Sequence, residues 1–269
     1  MPPPCHRCRT VRCRWITPLA VAALTAVAVA SAADPPLDAT VRQVVVVVTP
    51  SWDATHGRLA WFEREHMTAW RRMADPVPVT VGRAGCAWGL GLHPTGLPGP
   101  TKREGDLRSP AGVFAIGTAF GAATQLDTGL PYRALDGDDW CIDVPASPLY
   151  NRTVSSRDVG AAAVVGSTER MRRDLPPTSD GQYAIGFIIG HNPRGLAGKG
   201  SCIFAHVYAG PGVPTSACTG FAEADLRRLL AWLRGDARPA FVLLPTPEAG
   251  RLREWGLPDV SAIIGSGAR

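Results

Sequence analysis

Lysine is scarce in this chain of 269 residues: Lys102 and Lys199 are the only two, and every other basic side chain is arginine. A phosphate-binding glycine loop and a nucleotide fingerprint are both missing, so nucleotide-dependent chemistry is not expected. Cys5, Cys8 and Cys13 have a C-x-x-C-x4-C spacing, but no ligand histidine pair follows them. No metal is implied, and no other cofactor. There is no internal repeat and no domain linker after Arg42. The apolar run Leu19 to Ala30 is short of the ~20 residues that a spanning helix needs.

Acids are absent from Met1 to Trp15, where Arg7, Arg9, Arg12 and Arg14 lie. With the apolar run and Ala30-Ser31-Ala32, this forms a secretory signal peptide over residues 1–32. No Arg-Arg pair precedes the run, so general secretion is expected, with the periplasm, cell wall or extracellular space as destination. Membrane association is expected only if the signal stays uncleaved. Cleavage after Ala32 removes four arginines and no acid, taking the net charge from +5 to +1. Nucleic-acid binding then loses its electrostatic basis. Cys86, Cys141, Cys202 and Cys218 remain, and in an oxidising compartment two of the first three can pair, leaving Cys218 free.

What is present reads as mainly β. Gly 29 and Pro 25 suit a turn-rich protein. After a leader over 33–42, Gln43–Thr49 (QVVVVVT) is a short, β-branched buried strand stopped by Pro50. Residues 58–73 are ambiguous. Trp61, Phe62, Met67 and Trp70 fit a helix, while the alternation in LAWFERE fits a hairpin strand. Val77, Val79 and Val81 alternate as a strand. Gly85 to Arg108 is a Gly/Pro loop of unusual length and so a candidate functional loop. Strands are expected in Gly112 to Gly121, Tyr183 to Gly190, Ser201 to Val207 and Phe241 to Leu244. One helix is clear, Ala222 to Arg234, with Leu226, Leu229, Leu230 and Leu233 on one face and Gly235 as its stop.

The chemistry concentrates in Gly200 to Phe221, GSCIFAHVYAGPGVPTSACTGF. His206 ends an apolar strand, and Cys218 follows twelve residues later in a tight loop. A cysteine and a histidine on neighbouring elements are the minimal parts of a thiol nucleophile with its base. The gap allows a turn through Gly210-Pro211-Gly212 and a return. The N–H groups of Ser216, Ala217 and Cys218 are candidates for an oxyanion hole. The motif holds no carboxylate to orient His206, which leaves a backbone carbonyl or a distant residue for that task.

Together with TKREGDLRSPAGVFAIGTAFG (Thr101 to Gly121), YNRTV (Tyr150 to Val154) and GHNP (Gly190 to Pro193), this segment resembles the YkuD-type L,D-transpeptidase catalytic domain. The likeness runs in order from about Val44 to Pro258 and is to the exported branch of that family. It implies a mainly β, sandwich-like catalytic domain over 43–269 with a helix after the cysteine loop. It implies a cysteine nucleophile, Cys218, with His206 as base, acting on peptidoglycan stem peptides. In that family the bond between a diamino acid and D-Ala is cleaved and the acyl group passes to an amine, giving a 3-3 cross-link. Thr215, Ser216, Ala217, His191 and Asn192 are the oxyanion- and substrate-binding candidates, although a pair such as His191-Asn192 more often caps a strand end. Asp143 and Glu169 match the branch without a derivable role. Glu104 to Asp106 reads as a turn with solvated acids, and Arg103 and Arg108 as surface charges able to meet a carboxylate.

Three departures accompany the likeness. Ala217 stands where the family has glycine, and if that position needs φ > 0 a Cβ costs of order 1 kcal/mol. The arginine that follows the cysteine elsewhere is replaced by Thr219-Gly220, and the gap from His206 is shorter than in the best-known members. The alternatives are an L,D-carboxypeptidase or amidase-type hydrolase on the same scaffold, or a weakened peptidoglycan-binding protein.

Overall fold

The structure is a computed structural model and describes residue 1 and residues 37–66, 68–259 and 261–264. Residues 2–32 of the expected signal peptide with its three cysteines, residues 33–36 of the expected leader and Met67 lie outside the described residues. The part of the leader that is described is well packed: Leu37 and Val41 are buried in the core, and Arg42 donates to Asp236.

Among the described residues there are fourteen strands: β1 Gln43–Thr49, β2 His56–Glu63, β3 Arg71–Arg72, β4 Val77–Thr80, β5 Cys86–Trp88, β6 Ser109–Gly121, β7 Tyr132–Ala134, β8 Asp139–Cys141, β9 Thr153–Ser155, β10 Glu169–Arg170, β11 Ile185–Ile189, β12 Phe204–Val207, β13 Thr219–Phe221 and β14 Ala240–Pro245. The helices are short: α1 Ser156–Val159, α2 Glu223–Trp232, α3 Gly250–Glu254 and α4 Ser261–Ile264. The main sheet runs β1-β14-β6-β11-β12-β13-β4-β2-β3, and β1 also pairs with β2. That second pairing closes the strands from β1 round to β2 into a barrel-like ring. The mainly β expectation therefore holds, while the sheet closes on itself where two facing sheets were expected. Closure gives β1 and β2 partners on both sides, where an open edge would leave a row of unpaired backbone groups.

Local sequence explains most of these elements. The valines of β1 are buried on both faces because β14 and β2 flank the strand and α4 and the core cover it. Of the segment that fitted either a helix or a strand, residues 58–63 belong to the strand β2, antiparallel to β1 with Trp61 opposite Val45, and Arg71–Arg72 return beside it as β3. In α2, Leu226, Leu229 and Leu230 are fully buried, with Leu233 just beyond the helix, which lays the leucine stripe against the core. The helix follows β13, and so follows the cysteine loop. Cys141 and Cys202 form a disulfide, whereas Cys86 and Cys218 are free and buried. The crosslink ties the β8–β9–β10 sheet to the residue two before β12. Among the described residues no helix is long and apolar enough to cross a membrane.

Candidate active site

β12 and β13 run parallel, with Ala205 opposite Thr219 and His206 opposite Gly220. Cys218 immediately precedes β13. Side chains alternate along a strand, so Cys218 and Gly220 share a face, and the register makes it the face of His206. Gly220 is required here. A Cβ at this position would lie 2.5 Å from Thr80 Oγ1 and 3.0 Å from Tyr208 Cβ. With no side chain opposite the imidazole, the diagonal between His206 and Cys218 is left open.

The imidazole of His206 is buried. Its Nδ1 lies 2.7 Å from the carbonyl oxygen of Val207. A carbonyl only accepts, so Nδ1 carries the proton and Nε2 keeps its lone pair. A backbone carbonyl therefore fixes the tautomer, one of the two options the sequence left open. Tyr183 packs edge-on against the ring at 5.0 Å, and the Tyr183 hydroxyl donates to Glu169 at 2.7 Å. Burial holds the His206 imidazole down, to about 4, so it is neutral at neutral pH.

The Cys218 sulfur accepts from the Phe204 N–H at 3.3 Å and donates to the Cys202 carbonyl at 3.6 Å. Burial, reinforced by the Glu169 carboxylate, pushes the thiol up to about 12. The resting site is thus a neutral thiol beside a neutral imidazole, not an ion pair. Among the described residues no hydrogen bond joins the two side chains. The Cys218 carbonyl is held by two hydroxyls, Ser109 Oγ at 2.8 Å and Thr215 Oγ1 at 2.6 Å. Ser109 Oγ also accepts from the Gly82 N–H at 2.8 Å.

The loop candidates divide by position. The Thr215 N–H is spent on Val81 at 3.0 Å. The amides of Ser216, Ala217 and Cys218 have no protein acceptor among the described residues, which is what an oxyanion site requires. Ala217 does not adopt positive φ, so its Cβ carries no left-handed strain. Ser216 is exposed, and its hydroxyl accepts from Arg83 at 3.1 Å.

His191 and Asn192 lie elsewhere. Both are buried and neither lines the cleft that holds Cys218 and His206. His191 Nδ1 accepts from the Leu90 N–H at 3.1 Å, and Nε2 donates to the Lys199 carbonyl at 2.9 Å. Asn192 bonds to Leu196 and Gly200. The Asn151 amide donates to the His191 and Asn192 carbonyls, and its oxygen accepts from the Cys202 N–H at 2.8 Å. This network braces the residue whose carbonyl accepts from the Cys218 thiol.

The cleft has a volume of about 370 Å³. Glu104 lines it and is not a solvated turn acid: it accepts from Ser201 at 2.7 Å and from the Tyr150 hydroxyl. Arg108 is bound to the Trp52 and Cys86 carbonyls and to Asp53. A larger apolar groove of about 570 Å³, walled by Val48, Pro78, Val79 and Tyr208, contains neither Cys218 nor His206. Chemistry, not size, marks the smaller cleft as the candidate site. Among the described residues no three His, Cys, Asp or Glu side chains gather as a metal site.

Sequence reasoning missed Arg83, Tyr183 and Ser109. Each reaches the site from a distant segment, and no local pattern announces such a role. Compared with known proteins, the chain matches no family model and no curated relative.

Proposed function

We propose that this chain is an exported acyltransferase of the YkuD type, an L,D-transpeptidase acting on peptidoglycan stem peptides. One observation carries the reading: Cys218 and the unprotonated Nε2 side of His206 share a sheet face beside the unpartnered amides of Ser216 and Ala217. The ordered motif blocks support the substrate class. The Cys141–Cys202 disulfide supports an oxidising compartment.

The mechanism follows from the neutral pair. The thiol turns to His206, and Nε2 takes its proton as the sulfur attacks the carbonyl between the diamino acid and D-Ala. The loop amides receive the oxyanion. Collapse expels the D-Ala amine, which takes the proton from His206, and leaves a thioester on Cys218. An acceptor amine attacks the thioester, His206 removes its proton, and that proton returns to the departing thiolate. A buried imidazole with a low pKa gives up its proton readily, which suits the leaving-amine step.

Muropeptide analysis tests the proposal. The wild type should form new 3-3 dimers that Cys218→Ala does not. Loss of D-Ala without dimers would make the enzyme a hydrolase, and the absence of any thiol adduct or product would refute the enzyme reading.

A further inference from the structure

The cations of the cleft are not equivalent. Lys102 is paired with Asp106, and Arg173 with Glu169 and Asp180. Arg83, exposed at the rim, has no acidic partner among the described residues. It is nevertheless held firmly. Gly82 and Gly85 form an antiparallel bridge around it, closed by the Gly85 N–H on the Gly82 carbonyl at 2.7 Å. Gly82 has no room for a side chain, since a Cβ would lie 2.4 Å from the Leu107 carbonyl. The Arg83 N–H donates to the Thr215 carbonyl at 2.9 Å, and its guanidinium donates to Ser216 Oγ at 3.1 Å. A tight turn thus fixes an arginine by backbone and side chain to Thr215 and Ser216, in the loop that leads to Cys218. A guanidinium presents several donors in a planar fork, and one bond to a hydroxyl leaves the rest available.

We infer that Arg83, with the Ser216 hydroxyl, is a carboxylate-binding subsite that recognises a substrate carboxylate close to the scissile carbonyl. The inference deepens the proposed function and names the group that the site selects. Two carboxylates of a stem peptide have this chemistry: that of the leaving terminal residue and that on the diamino-acid side chain.

The test compares two alkylating agents of nearly equal size, iodoacetate and iodoacetamide. In each case the Cys218 sulfur forms a bond to the CH₂ carbon, iodide leaves with the electron pair, and the thiol proton passes to base. The rate at Cys218 is read by peptide mass spectrometry, and the iodoacetate-to-iodoacetamide ratio is taken within each variant, so that a general change in thiol reactivity cancels. Arg83→Ala should lower the ratio about five- to tenfold, since a charge-assisted bond is weakened by solvent at the rim. Arg83→Lys should recover part of it. Arg71→Ala, on exposed β3 outside the cleft, should leave it unchanged. An equal ratio in wild type and Arg83→Ala overturns the subsite, as does an equal drop in Arg71→Ala.

A second arm measures turnover of a tetrapeptide donor amidated at either carboxylate. Arg83→Ala should raise KM for the free peptide and not for the one whose recognised carboxylate is masked. KM insensitive to both amidations overturns the subsite. If the wild type turns over no peptide while the alkylation ratio still depends on Arg83, the transpeptidase reading fails and the carboxylate site stands.

Discussion

His191 and His206 invite comparison because neither burial nor proton affinity tells them apart. Both are buried, and burial lowers both to about 4. The two free thiols match in the same way: burial pushes Cys86 and Cys218 alike up to about 12. The difference lies in hydrogen-bonding capacity. His191 uses both ring nitrogens on backbone partners, Leu90 and Lys199, and Cys86 sits in the core beside Thr49. His206 uses only Nδ1, and Cys218 lines a cleft beside unpartnered amides. A shifted pKa reports burial. An unspent lone pair facing solvent-accessible space marks a place where a reaction can occur.

The comparison breaks most sharply at the thiols. Cys218→Ala should abolish covalent labelling of the native protein and all turnover, whereas Cys86→Ala should keep both. Labelling that persists in Cys218→Ala and maps to Cys86 would reverse the assignment. At the histidines, His206→Asn should reduce turnover by about 10²–10⁴-fold, the usual contribution of a general base. His191→Asn should instead lower stability by roughly 1–3 kcal/mol through its two stranded backbone partners, visible as a reduced denaturation midpoint.

The pH dependence sharpens the pair further. Unfolded imidazoles bind a proton near 6.5, whereas these two bind one only near 4. The unfolded state therefore holds more protons between those values. Stability should be complete above about 6.5 and fall as pH drops towards 4, by on the order of 3 kcal/mol for each histidine. Denaturant midpoints across that range in wild type and His206→Asn measure one share of the loss. Turnover, which needs neutral Nε2, should keep its acid limb well below 6.5; a limb at 6.5 would mean that His206 is not the base.

Replacing Cys141 and Cys202 by serine should cost about 2–4 kcal/mol from loss of the crosslink across a separation of 61 residues, read by chemical denaturation. The smallest effect belongs to Ala217→Gly. Because Ala217 avoids positive φ, the added backbone freedom should change stability and labelling by less than about 1 kcal/mol. A large gain in labelling rate would show that the methyl group obstructs the loop.

Much of the framework was readable in the chain. The valine run of β1 and the leucine stripe of α2 each carry a period that only one element satisfies. Residues 58–73 were ambiguous because aromatic spacing there satisfies both periods, and pairing with β1 decided the matter. That Cys218, His206, Ser216 and Ala217 come together was readable from their motif, and the four line one cleft. His191 and Asn192 stood out by the same motif reading, yet the structure spends both on bracing backbone. A motif records which residues recur together and does not say which of their hydrogen bonds are already used.

The sequence alone determined the strand-rich composition, the helix after the cysteine loop, and the presence of one thiol and one imidazole at a spacing that lets them meet. Only the tertiary structure decided that β1 closes the ring through β2 and β14, that Cys141 pairs with Cys202, and that Arg83 reaches Ser216 from 133 residues away. The physical reason is one of range. Periodicity and turn chemistry act over a few neighbours and are written locally. Register, disulfide partners and the lone pair left unspent on His206 depend on which distant backbone groups arrive first at each donor and acceptor.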